Sequence, residues 1–137
     1  MYHVRVTTSL LADAATVCDG KLYVHGAGWD VINGPGLPVM YPAFAVVLVI
    51  EMDVSELTGD DVQVVLVDDE ASQLVTMTGH LETADPARYA PRTSIKLPLA
   101  LPFQGLTFAR TGNYAFKVSV GGTEIHSLDF SVHTPPQ

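Results

Sequence analysis

Histidine, cysteine and clustered carboxylates are the side chains through which a small protein most often does chemistry, and each can be tested here by its spacing. The five histidines stand at positions 3, 25, 80, 126 and 133, and no two have the spacing of a metal-ligand pair. The one cysteine, Cys18, excludes an internal disulfide and a thiolate-rich zinc site. Its neighbour Asp19 disfavours the thiolate that a nucleophile requires. Carboxylates gather in two groups, Asp53, Glu56, Asp60 and Asp61 first, then Asp68, Asp69 and Glu70. The stretch between them, Val62 to Val67, reads as one strand, so the groups lie roughly 20 Å apart and cannot act as a pair. Neither group has the DxDxDG spacing of a calcium loop, which leaves Asp53, Asp60 and Asp61 at most a weak oxygen site. His25-Gly26-Ala27-Gly28-Trp29 has the glycines of a phosphate loop, but no helix follows it. Those glycines read as a strand bulge or a close approach of another backbone, with Trp29 packed over the space they leave. GxSxG, HExxH, GxxxxGK(S/T) and CxxC are all absent. The expectation is a protein without catalytic residues, metal ligands or cofactor.

The elements that carry these residues follow from a period-two alternation in short segments separated by Gly, Pro, Asp and Asn, the pattern of half-buried antiparallel strands. Strands are predicted near 2–11, 21–32, 43–52, 61–68, 73–82, 93–102, 113–120 and 124–132. About eight strands, with almost no helical periodicity, predict an all-β fold: a two-sheet antiparallel sandwich, immunoglobulin-like or Greek-key, as a single domain over 1–137. Tyr114, Phe116, Val118 and Val120 share one face, and Leu128, Phe130 and Val132 share one face of the next strand. A two-residue turn at Gly121-Gly122 would set these faces on opposite sides of the sheet. One added residue, by a three-residue loop or a glycine bulge, pairs Phe116 with Leu128 and Tyr114 with Phe130. His126 then faces inward beside Val118, where a hydrogen bond at the sandwich rim is expected. Between Asp68 and Gln73 a plain four-residue loop already aligns Leu66 with Val75 and Val64 with Met77, without a bulge. Asp19-Gly20 marks a tight turn. Pro98 places its strand at a sheet edge, whereas the nearly continuous apolar run Ala43 to Ile50 reads as a central strand covered on both faces. Gly112-Asn113-Tyr114-Ala115-Phe116 has the form of a tyrosine corner, with a partner near Phe108 to Arg110.

Composition limits the partners. Of 137 residues, 47% are hydrophobic but only 16% are charged, well below the roughly 25% of typical soluble proteins. A surface so poor in charge favours burial against another subunit or a larger assembly. The formal charge of −8, with Lys and Arg scattered singly, repels phosphate backbones and anionic lipid, which excludes nucleic acid and a membrane surface as partners. No apolar run approaches the roughly 20 residues of a transmembrane helix, and Asp13 interrupts the N-terminal stretch where a signal peptide would be apolar. The expected location is the cytoplasm, or a virion if a phage encodes the protein. Two apolar segments are the candidate contact surfaces: the Pro-rich loop Asn33 to Pro42, with Leu37, Met40 and Tyr41 as anchors, and the stretch Phe103 to Phe108, with Phe103 and Leu106. Trp29 is the remaining candidate, as a contact or stacking residue.

Leu11-Ala12-Asp13-Ala14-Ala15-Thr16-Val17-Cys18-Asp19-Gly20-Lys21-Leu22-Tyr23 and Gly26-Ala27-Gly28-Trp29, with the later Gly112-Asn113-Tyr114 and Phe116, resemble an uncharacterised family of small bacterial and phage β-sandwich proteins. The resemblance covers about a third of the chain. It implies the sandwich fold and an actinobacterial or phage source, and it carries no activity and no functional residues. The function expected from all these features is non-enzymatic: a β-sandwich acting through protein–protein contacts, as a homo-oligomer or as a component of a phage virion such as a capsid or tail accessory protein. The alternative is a small-ligand or carbohydrate-binding module that uses Trp29, Tyr23 or loop acids at one end of the sandwich.

Overall fold

A computed structural model describes residues 4–56, 61–80 and 91–136. His3, Asp60 and the outer ends of the strands predicted at 2–11 and 73–82 lie outside them. Two sheets pack face to face, as the alternation predicts. The first holds β1 (Val4–Cys18), β2 (Lys21–Trp29), β4 (Val39–Asp53) and β7 (Ser94–Phe108), in the order β2-β1-β4-β7. The second holds β3 (Val31–Asn33), β5 (Asp61–Val67), β6 (Gln73–His80), β8 (Gly112–Val120) and β9 (Thr123–His133), in the order β3-β9-β8-β5-β6.

Three differences from the sequence reading have local causes. The segment predicted as one strand at 21–32 is two, because the chain changes sheets at Asp30: β2 pairs with β1, while β3 runs parallel to β9, the one parallel pair among the described residues. Strands β1, β4 and β7 each reach 15 residues, longer than predicted: β1 runs past the core as a ribbon with β2, while β4 begins earlier and β7 ends later in a shared stretch whose Val39, Phe44, Phe103 and Phe108 are still buried in the core. Beyond Ala12, β1 pairs with β2 alone; from Val39 to Phe44, β4 pairs with β7. The Pro-rich loop therefore shrinks to Gly34–Pro38, and Phe103 to Phe108 is strand.

The core forms where the two sheets face each other, and an unbroken series of rings runs through it. Phe44 stacks on Phe103 at 5.5 Å, Phe103 meets Phe116 at 5.1 Å, Phe116 meets Phe130 at 5.4 Å, and Phe130 stacks on Tyr114 at 5.7 Å. Offset and tilted pairs at these separations suit the ring quadrupole and tie both sheets together. Tyr114 closes the corner as predicted, its hydroxyl donating to the Arg110 carbonyl at 2.6 Å. In β4, Ala45 to Leu48 are buried consecutively, the central strand expected of the run Ala43 to Ile50. Pro98 lies in the edge strand β7, as expected, and Pro102 lies four residues on. Strand alternation gives both the same orientation, with the side that lacks an N–H turned away from β4.

Both hairpin registers align the apolar faces as derived, but the extra residues sit elsewhere. Phe116 pairs with Leu128 and Tyr114 with Phe130. Gly121 and Gly122 nevertheless make a two-residue turn, both at positive φ (58° and 84°), a conformation that glycine adopts without steric cost. The added residue is Ile125, where the ladder shifts between Val118 and Ser119. Leu66 likewise pairs with Val75 and Val64 with Met77, but Val67 then pairs with Gln73, so a bulge at Leu74 replaces the plain loop.

Candidate functional site

The ends of the sandwich differ. β1 and β7 finish, and β4 and β8 begin, at one end, which also carries the β1–β2 ribbon, the loop Gly34–Pro38 and the loop joining β5 to β6. Every large hydrophobic residue exposed among the described residues belongs to this ribbon end: Val17 and Tyr23 on the ribbon, Val31, Leu37, Met40, and Leu74 at the start of β6.

The candidate contact residues separate accordingly. Leu37 is 53% exposed and Met40 66%, so both can serve as anchors. Tyr41 and Trp29 are partly buried and touch each other, with ring centroids 5.6 Å apart, and both contact Phe44 at the margin of the core. The Trp29 indole N–H donates to the Gly26 carbonyl at 2.9 Å, so the ring is held in place over the glycine-rich part of β2. Burial, and secondarily the carboxylate of Asp13, raises the Tyr41 hydroxyl above its ordinary pKa. Leu106 is partly buried opposite Tyr41. Phe103 is corrected: at 5% exposure, paired with Phe44 and stacked on it, it is a core residue. Sequence reasoning named Tyr23 only in the ligand-binding alternative and missed Val17 as a surface residue, because alternation marks a strand without saying whether anything covers it. The absence of Asp and Glu from Gly20 to Trp29 was the available signal.

Two polar arrangements resemble chemistry. Ser9 Oγ lies 2.7 Å from His126 Nε2, the spacing of a nucleophile and its base. Among the described residues nothing hydrogen-bonds the other ring nitrogen, so no third group orients the imidazole. The pair joins the sheets where both β1 and β9 are unaccompanied margins, since β2 begins pairing only at Leu11 and β3 only at Ser131. Its role is an inter-sheet bond at the rim. Elsewhere, no cluster of three or more His, Cys, Asp or Glu side chains suited to a metal occurs among the described residues. Nor is any helix among them long and apolar enough to cross a membrane.

The loop joining β5 to β6 is built on Asp68. Its Oδ1 accepts the N–H groups of Glu70 at 3.0 Å and Ser72 at 2.9 Å, and its Oδ2 accepts from Arg110 at 2.8 Å. The Ser72 N–H foremost, opposed by partial desolvation and aided by Glu70 N–H and Arg110, holds the Asp68 carboxyl below the usual carboxylate range. A carboxyl depressed in the folded chain contributes stability above its unfolded pKa of about 3.9, and that contribution is lost as pH falls through the folded value. Asp68→Asn is therefore expected to flatten the acid limb of a stability–pH curve below about pH 4. An unchanged limb would show that these bonds do not bias protonation.

Beside this loop, the outer face of the second sheet has an open depression of about 630 Å³. Val67 and Ala115 line its apolar part, and Asp30, Asp69, Asn113, Lys117 and Asp129 its polar part. A comparison with curated proteins finds no match. Residues 7–133 match the model described as a family of unknown function (DUF6941), and the chain belongs to that family.

Proposed function

We propose that this protein works without catalysis, through protein–protein contacts made at the ribbon end, as a homo-oligomer or as a component of a larger particle such as a phage virion. One observation carries the reading: all six large hydrophobic residues exposed among the described residues lie at that end. Scattered apolar surface is ordinary, but concentration at one end marks a contact site. Low overall charge supports it, since few residues must be desolvated when such surfaces meet. Light scattering over a concentration series tests the homo-oligomer directly. A rise in mass with concentration is expected, and a strictly monomeric species at the highest concentrations would overturn that form of the reading.

The depression on the second sheet favours a second reading, a module for a small polar ligand such as a carbohydrate. Carboxylates, an amide and an ammonium group around an apolar floor suit hydroxyl-rich molecules. A thermal-shift screen with sugars, nucleotides and calcium is its test, and the expected shift should disappear in Asp129→Asn. A flat screen would remove its support.

A further inference from the structure

We infer that the free edge of β2 is where two copies of this chain pair, antiparallel and about a two-fold axis at Tyr23, joining two first sheets into one. The inference rests on the protein-contact reading and specifies its surface and partner. Among the described residues, four strands end the two sheets. β7 carries Pro98 and Pro102, β3 is three residues long, and β6 is bulged at Leu74. Prolines, shortness and bulges are the devices by which natural edges avoid pairing. β2 has nine residues without proline, its own bulge at Gly28 lies outside the regularly paired stretch from Lys21 to His25, and no strand lies on its outer side among the described residues. The two-residue turn Asp19-Gly20 makes Cys18 and Lys21 a hydrogen-bonded pair, and alternation along β2 then turns the N–H and C=O groups of Leu22 and Val24 outward.

Self-pairing also suits the side chains. In a chain of charge −8, two copies meet most readily where acids are absent, and Gly20 to Trp29 contains none. With the axis at Tyr23, Leu22 exchanges backbone hydrogen bonds with Val24 of the partner subunit. Tyr23, 50% exposed, faces Tyr23 of the partner subunit in a non-hydrogen-bonded pair, where side chains approach most closely. Lys21 faces His25 of the partner subunit, so lysines do not oppose each other. On the other face Ala15, Val17, Leu22 and Val24 share one side of the ribbon, and the axis doubles them into one apolar band.

The test uses the full chain. Val24→Pro removes an outward N–H while leaving the bonds to β1, so circular dichroism and the melting midpoint should stay close to those of the parent. Sedimentation velocity is expected to show a concentration-dependent dimer for the parent, weakened about ten- to hundredfold in Val24→Pro. A spin label on Cys18, exposed and the single cysteine, gives an independent reading. Three strand spacings and four residue rises set the two Cys18 Cα atoms roughly 20 Å apart. A dipolar distance distribution centred near that value supports the inference even if Val24→Pro fails to fold, and one centred well beyond 35 Å, about twice the expected separation, overturns it. A dimer that persists in folded Val24→Pro overturns this interface and leaves the protein-contact reading standing. A parent protein that is monomeric throughout overturns both this pairing and the homo-oligomer.

Discussion

Phe116→Ala is expected to lower the free energy of unfolding by about 3–5 kcal/mol, the range for removing a fully buried aromatic ring. Phe116 is completely buried and contacts Phe44, Phe103 and Phe130, which come from β4, β7 and β9. Truncation thus opens a cavity where both sheets meet, and neighbours on regular strands have little freedom to collapse into it. Domains of this size are stable by about 5–15 kcal/mol, so the loss is a large share of the total and lowers the melting point by about 10–20 °C. Urea denaturation should show a lower midpoint at unchanged slope. A change below about 1 kcal/mol would mean that the rings do not pack in this order.

Gly34→Ala is the second large expected effect, about 1–3 kcal/mol of destabilisation. A β-carbon on Gly34 would lie 2.7 Å from both methyl groups of Val39, a branched and buried side chain with no room to rotate away. The backbone cannot easily yield either, because the Gly34 N–H donates to the His133 carbonyl at 3.0 Å and pins the loop to the end of β9. Gly36, two residues on, has open space where its β-carbon would be, so Gly36→Ala should be nearly neutral. Melting curves of the two variants decide the point, and equal effects would refute the close approach.

Much of the fold was legible in the sequence because burial on one face imposes a period of two. The register of β8 on β9 could be derived from the faces of Phe116 and Leu128 alone, since a slip by one residue would turn an apolar set outward. The position of the bulge was not legible: Ile125 and a longer turn satisfy the same parity. Strand ends failed for a related reason. Ala12-Asp13-Ala14-Ala15 has no alternation because the ribbon has left the core, and β3 is too short to show a period. For the candidate site, Leu37 and Met40 were legible as apolar residues among prolines. Phe103 was not separable from them, since its burial depends on Phe44, 59 positions earlier in the chain and adjacent only after pairing.

The prolines of β7 also bear on how far such a protein can grow. An additional chain needs hydrogen-bond donors along that margin, and Pro98 and Pro102 withhold two of them. A sheet that recruits through one flank and is sealed along the other ends at a closed pair. Under the pairing proposed at β2, elongation of that sheet would thus be opposed by covalent chemistry rather than by charge, at any salt concentration.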